Sequence, residues 1–510
     1  MQYRLTLNIP IITLLYFLSF PETGDQHFFT PVVEGEPVTD DGSSRGVAWA
    51  DYGQNGYPDL VVANTMNNSN FVYRNEGDGS FFQVTEDPIS YSGEWSEGIY
   101  WTDIDNDHDL DLFVANQWEG PNQLFINNEG SFEPALDAGD LLSGSSNSPA
   151  ACWADYNLDG YMDVYVITRD DGDDALYRNN GDGTFSRISD GNISSNGGDG
   201  RACAWGDLDG DRYPELYVGN FINRNGESVS KAQNFLYKNN GDGSFTEITE
   251  GDPVTDRAVT YGVSMIDFDY DEDLDIYVTN IAGSDTNILY ENDGNGEFSK
   301  TDLIITKESN RPSKGHTWGD FNNDGFIDLF VANGTMNVDP EKIKNQLYLG
   351  SDSGEFTEIK GGTIVNKQGT SAGAAWADYD RDGDLDLFVA NWAHNNEDNE
   401  FYRNDINECE HRNWIVLQLE GTQSNKFGIG AKIRLKAAIS GNDHWQTRWL
   451  WPDTGYGSQN ETIVHFGLGD ANQADSLEIE WPSGVIDRFT DIGINRYYRA
   501  EEDGILKPVN

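Results

Sequence analysis

The stretch Trp376-Ala377-Asp378-Tyr379-Asp380-Arg381-Asp382-Gly383-Asp384-Leu385-Asp386-Leu387-Phe388-Val389-Ala390-Asn391 decides the reading of this chain. Its first half sets carboxylates at alternate positions of a tight turn. Its second half is a short β-branched and aromatic run of strand type. The same unit recurs seven times, with its first Asp at Asp51, Asp103, Asp155, Asp207, Asp267, Asp320 and Asp378, at intervals of 52 to 60 residues. Such a period marks a repeat architecture.

After each acidic turn comes a strand such as LFVAN (112–116) or LYVGN (216–220), then a second such as NFLYKN (234–239). A Gly-rich hairpin follows, as in NNGDGTF (179–185), and a further short strand closes the unit. Four antiparallel strands per repeat, seven times over, predict an all-β fold. It is a seven-bladed β-propeller spanning 25–408 followed by a small C-terminal β-sandwich-like domain at 412–503, with 504–510 as a tail. The Trp two residues before the first Asp (Met265 in the fifth repeat) is expected to pack between blades. The seventh repeat lacks its last strand, and QHFFTPVV (26–33) resembles the missing piece, so the N-terminal segment is expected to close the ring.

The turn spacing has a chemical reason. Oxygens at positions 1, 3, 5 and 9, with a backbone carbonyl near 7, converge on one point and suit Ca²⁺, which takes six to eight hard oxygen ligands. The expected ligands are Asp51, Asn55 and Asp59 in the first loop and Asp103, Asp105, Asp107 and Asp111 in the second. The third has Asp155, Asn157, Asp159 and Asp163, and the fourth Asp207, Asp209, Asp211 and Glu215. The fifth has Asp267, Asp269, Asp271 and Asp275, the sixth Asp320, Asn322, Asp324 and Asp328, and the seventh Asp378, Asp380, Asp382 and Asp386. Up to seven Ca²⁺ sites follow. The first and fourth depart most from the pattern: Gly53 stands at position 3 of one, and Arg212 and Glu215 at positions 6 and 9 of the other. His108 and Glu272 also replace the usual Gly at position 6.

These units, followed by NxLYxNNGDGxF, resemble the FG-GAP/VCBS repeats of integrin-α-type propellers. That resemblance implies calcium in the loops of one face and partners on the opposite face. SNKFGIGAKIRL (424–435), GYGSQNETIVHFGLGD (455–470) and LEIEWPSG (477–484) resemble the ASPIC/UnbV domain. A propeller of these repeats followed by this module is the arrangement of the cartilage acidic protein family and its bacterial relatives.

With 88 acidic and 32 basic side chains the formal charge is −56, which excludes the Lys/Arg field that nucleic acid requires. Residues 1–24 read as a signal peptide, and no later run is long and apolar enough to span a bilayer, so a secreted or cell-surface location is expected. Cys152 and Cys203 lie three and four residues before their loop Asp. That offset points them to opposite faces of their strands, and two buried hydrophobes rather than a bridge are expected. No histidine falls in a zinc-ligand spacing. Gly42-Ser43-Ser44-Arg45-Gly46 matches GxSxG but leads into a strand rather than a helix. No catalytic constellation emerges.

The expected working surface is the face opposite the calcium loops, where exit loops carry Trp118 and Trp392. Longer insertions run from Phe221 to Gln233 and from Gly334 to Lys344, and Tyr91 and Trp95 are expected on the same side. A calcium-binding extracellular binding or adhesion protein with a protein or glycan partner is the reading. A lectin-like glycan-binding propeller and a glycan-active hydrolase are the alternatives.

Overall fold

The computed structural model describes residues 28–509 apart from 41, 67, 91–94, 119, 144–146, 171, 190, 195–196, 226–227, 282–285, 308–310, 336–342 and 393–396. The expected signal peptide and Tyr91 lie outside the described residues. Seven four-stranded antiparallel blades form, one for each acidic repeat, and the sheet of blade 1 is extended to six strands by Asp453–Thr454 and Ser458–Gln459, the latter pairing in parallel. In blade 4, for example, the inner strand Gly200–Gly206 pairs with Glu215–Asn220, then Phe235–Asn239, then Phe245–Ile248. The seven inner strands meet in cyclic order around a central channel. Blade 7 is completed by Phe29–Val32, which pairs antiparallel with Glu400–Asn404, Phe29 opposite Asn404. The N-terminal segment therefore closes the ring.

Blade faces pack through the expected aromatics: Trp49 lies against Phe388 and Phe401 of blade 7, and Trp153 against Phe113 of blade 2. A polar tie runs beside this packing. The Asn that ends the third strand donates from Nδ2 to a loop carbonyl of the preceding blade. Asn179 bonds Ile104 O at 2.8 Å, Asn239 bonds Tyr156 O at 2.9 Å and Asn75 bonds Tyr379 O at 2.8 Å.

The cysteine expectation is corrected: Cys152 and Cys203 form a disulfide, with Cα atoms 6.0 Å apart. In a propeller the front of one sheet packs on the back of the next. Side chains pointing to opposite faces of neighbouring blades are therefore the ones that meet, so the one-residue offset favours the bridge.

The C-terminal module is a sandwich of two four-stranded sheets. One has the order Val464–Gly469, Asn413–Glu420, Arg496–Glu501, Ile505–Pro508, and the other Asn442–Trp449, Lys432–Ile439, Ala474–Glu480, Ile486–Ile492. The tail expected at 504–510 contains the edge strand Ile505–Pro508, paired with Arg496–Glu501. The sheets are not wholly antiparallel, because Asn413–Glu420 and Arg496–Glu501 run parallel.

Between these strands, residues 452–461 leave the sandwich and enter the propeller channel. An inner strand is a sheet edge with unpaired backbone groups, and the inserted segment pairs them. Ile99 N donates to Gly457 O at 3.2 Å, Val263 N to Gly455 O at 3.0 Å and Trp376 N to Asn460 Oδ1 at 2.8 Å. Gln459 both donates to Trp101 O and accepts from Trp101 N, at 2.9 and 2.7 Å. A Cβ on Gly46 or Gly373 would overlap this plug, which is why glycine stands there.

Replacing Asn179 by Ala removes bonds to Ile104 O, Met162 O and Gly181 N and leaves buried carbonyls without a donor. A loss of about 2–4 kcal/mol is expected in denaturant unfolding, against under about 1 kcal/mol for the exposed Asn180→Ala. Equal losses would show that the interblade bond contributes nothing.

Candidate metal loops beneath the C-terminal module

Each acidic loop is built by the same backbone device. The residue at position 6 lies in the left-handed region in all seven: Gly56, His108, Gly160, Arg212, Glu272, Gly325 and Gly383, with φ from 75° to 98°. In six of the loops, all but the fifth, this turn aims the amides of positions 5 and 6 at the carboxylate of position 1. Asp159 N and Gly160 N donate to Asp155 at 2.9 and 2.9 Å, and Asp382 N and Gly383 N to Asp378 at 3.0 and 2.8 Å. The fourth loop keeps this geometry despite Arg212, whose amide donates to Asp207 at 2.9 Å.

The position 9 carboxylate anchors the loop to the sheet. Asn75 N donates to Asp59 at 2.7 Å, Asn127 N to Asp111 at 2.8 Å, Asn179 N to Asp163 at 2.7 Å and Asn404 N to Asp386 at 2.8 Å. Asn292 N and Gly350 N serve Asp275 and Asp328 in the same way. Glu215, one methylene longer, accepts from Asn239 N at 3.3 Å.

Four loops bring at least three carboxylates within 4.8 Å of one another: Asp103, Asp105 and Asp111; Asp207, Asp209 and Glu215; Asp267, Asp269 and Asp271; Asp378, Asp380 and Asp386. The third and sixth loops carry Asn157 and Asn322 at position 3. The first has no side chain there, only Gly53, whose amide donates to Asp59 at 3.3 Å.

Burial drives these acids strongly upward. Desolvation, then neighbouring carboxylates, raise Asp378 to about 8 and place Asp386 well above the ordinary range. Desolvation likewise raises Asp59 and Asp111 to about 8 and Asp275 to about 9, although each accepts backbone amides that pull the other way. Both oxygens of Asp267, and one oxygen each of Asp209, Asp269, Asp328 and Asp380, are buried without a hydrogen-bond donor. Buried, like-charged and undersatisfied oxygens fit a hard divalent cation, which supplies the missing charge and coordination together.

The module lies directly over these loops, and position 6 faces it. A Cβ on Gly383 would overlap the Trp414 indole, and one on Gly325 would crowd Ile439. At two of the three positions without glycine, the side chain makes a polar contact instead. Glu272 takes Arg434 at 3.0 Å and Lys432 at 3.4 Å, and His108 lies 3.7 Å from Glu420. Further bonds reach loop carboxylates themselves: Gly467 N donates to Asp320 at 3.0 Å and Tyr497 Oη to Asp378 at 2.5 Å. Arg381 joins Glu461 and Tyr497. A cavity of about 150 Å³ remains between the domains, lined by Trp205, Asp267 and Trp318 on one side and Arg448, Trp449 and His465 on the other.

The far ends of the strands carry a second lock that the loop motif does not reveal. Asn64, Asn116, Asn280, Asn333 and Asn391 accept from Ser44, Ser96, Thr260, Ser313 and Ser371 at 2.8–3.1 Å. Ser44, the GxSxG serine, is thus a buried donor in this ladder. Trp95 and Trp118 pack together on the same side, with centroids 6.2 Å apart.

A ring of acidic turns capped by a β-sandwich whose loop plugs the channel defines a repeat propeller with a docked C-terminal module. The chain belongs to the FG-GAP-like repeat family, whose matches run from 51–114 to 320–389, and its residues 421–506 match the family ASPIC and UnbV. It is 25% identical over 456 residues to cartilage acidic protein 1 of Xenopus tropicalis, covering 85% of this chain and 65% of that protein. It is 27% identical to cartilage acidic protein 1 of Homo sapiens over 54% of this chain and 42% of that one. The chain therefore spans less than two thirds of the length of these relatives. Among solved structures, an Agrocybe aegerita lectin recognising non-reducing terminal N-acetylglucosamine aligns at 21% identity and a TM-score of 0.45, over 63% of this chain and 80% of the lectin. BBS1N in complex with ARL6DN aligns at 14% identity and 0.45, over 74% and 96%.

An acid whose folded pKa is raised holds a proton that the unfolded chain releases. The cation-free protein is therefore expected to lose stability as pH rises from the ordinary carboxylate range through about 8. In EDTA the melting temperature should fall between pH 5 and 8. With millimolar calcium the fall should vanish, because the deprotonated carboxylates then bind the ion. A melting temperature that climbs over this range in EDTA would contradict the burial argument.

Proposed function

We propose that this chain is an exported calcium-binding β-propeller that acts as an extracellular binding or adhesion protein through the face opposite its acidic loops. The observation that carries the reading is the coverage of the loop face by the module, which leaves the far face open to a partner. In this reading Ca²⁺ is held by the residues at positions 1, 3, 5 and 9 of each loop, from Asp51, Asn55 and Asp59 in the first to Asp378, Asp380, Asp382 and Asp386 in the seventh. The ions neutralise turns that otherwise repel, and they hold the surface on which Arg381, Glu272 and His108 receive the module. Calcium is then structural: it sets the docking of the module and so the shape of the whole molecule. Homology to cartilage acidic protein 1 and the expected signal peptide support an extracellular setting. The described residues contain no helix long and apolar enough to cross a membrane.

The far face is unequal from blade to blade. Trp118 is 52% exposed beside Trp95, whereas blade 4 carries a β-hairpin, Ile222–Asn225 with Ser228–Lys231. Such inequality favours one composite site over seven repeated lectin sites.

Arrays of extracellular-matrix proteins and of glycans, probed with and without EDTA, test the reading. Binding to a protein or a narrow set of glycans that EDTA abolishes is expected. Calcium at about a hundred times its dissociation constant should add roughly 2.7 kcal/mol for each occupied site. A melting temperature indifferent to chelation would end the calcium assignment, and an absence of any bound partner on either array would end the binding role.

A further inference from the structure

The far end of the channel carries the opposite charge to the near end. The residue four positions before each repeat's Trp or Met occupies the same place in every blade: Arg45, Glu97, Pro149, Arg201, Tyr261, Lys314 and Ala372. In six blades the inner strand has a register shift beside this residue, as between Ser44 and Val47 or Ser313 and His316. A bulge of this kind re-aims a side chain. Here it brings residues of separate blades into mutual contact at the channel mouth. Blades 3 and 7, with Pro149 and Ala372, contribute instead Arg169 and Trp392 from the exits of their second strands.

Four cations converge in a chain that has only 32 Lys and Arg against 88 acids. Arg45 and Lys314 both lie on the Trp392 ring, at 4.1 and 4.5 Å from its centroid, and Lys314 and Arg201 flank Tyr261 at 6.0 and 5.4 Å. Arg201 also covers Phe221 at 4.4 Å, and Arg169 faces Trp118 at 5.3 Å. Three described acids stand among these four cations. Glu97 lies 3.6 Å from Arg45 and accepts from Tyr456 at the tip of the plug, Asp199 lies 3.5 Å from Arg169, and Glu397 stands half-buried nearby, donated to by Thr370 N.

Lys314 is 1% exposed, and its Nζ has no hydrogen-bond partner; neither has Nε of Arg45 or of Arg201. A buried ammonium without an acceptor is unstable unless something supplies one. Burial, then Arg45 and Arg201 close by, hold the Lys314 pKa well below that of an ordinary lysine, and an anion bound beside it would draw it back up.

We propose that this mouth is a ligand site for one carboxylate of an acidic saccharide. The carboxylate would be received by Lys314, Arg45 and Arg201, and the sugar ring by the aromatic rim of Trp392, Phe221 and Trp118. Arginine forks suit a carboxylate. The buried cations would meet the small carboxylate, while the aromatic faces beside them would offer an apolar surface to the ring. The proposal rests on the far face being the binding face and names the chemistry it selects.

The test is titration calorimetry of the calcium-loaded protein with sodium glucuronate, with glucose, sodium acetate and an acidic peptide as comparison probes. Glucuronate should bind saturably and glucose should not. Acetate should bind at least about tenfold more weakly than glucuronate, as should the peptide. Lys314→Met removes the charge and keeps the bulk. It should leave the melting temperature unchanged or higher and weaken glucuronate by about tenfold or more. Trp392→Ala should weaken glucuronate and leave acetate alone.

No saturable glucuronate binding, equal binding of glucose or acetate, preference for the peptide, or glucuronate binding indifferent to Lys314→Met would each overturn the proposal. The broader binding role has a separate readout. If a partner found on the arrays binds wild type and Lys314→Met alike, the saccharide site fails while the binding role stands.

Discussion

Seven inner strands face a channel, and each is a sheet edge whose amides and carbonyls need partners. The rest of the architecture depends on how that need is met. A closed ring of blades removes the outer liabilities, since Phe29–Val32 pairs with Glu400–Asn404 and no blade is left short. The ring does not satisfy the groups that point inward. The 452–461 segment does, with Gly455, Gly457, Gln459 and Asn460 bonding blades 1, 2, 5 and 7. Once the plug is seated, the sandwich that carries it is held over the acidic turns.

The two ends of the channel are thereby given opposite electrostatics. At the module end, carboxylates such as Asp378 and Asp320 are buried close together, and they accept amides and hydroxyls from both domains. At the far end, Lys314, Arg45 and Arg201 gather around aromatic rings. Buried charge of one sign is costly wherever it occurs. The carboxylates of the module end fit a divalent cation, and the far end, where Glu97, Asp199 and Glu397 meet part of the charge, is the proposed seat of an anionic group. The formal charge of −56 describes neither end by itself.

Much of this was legible in the repeats. Strand number, blade order, the acidic loops and the buried tryptophans follow from periodicity, because a β-hairpin and its turn are local events. The sequence reading fell short where contact between particular polar or sulfur side chains of separate sheets decided the outcome. Cys152 and Cys203 were assigned opposite faces correctly, and the packing of successive blades turned that into a bridge. Glu272 and His108 looked like defects in a metal loop; they are the residues through which the turn meets Arg434 and Glu420. The position four residues before each repeat's Trp or Met carried a signal that no single repeat reveals, since Arg45, Arg201 and Lys314 share a site only after the ring has closed.

The sequence by itself determined the propeller, its repeat count and the acidic turns between its strands, since these depend on residues within one hairpin of each other. The tertiary structure decided which face is covered, which cysteines pair and which basic side chains converge. Those outcomes depend on distances between blades and on where residues 452–461 go, and no period in the chain encodes them.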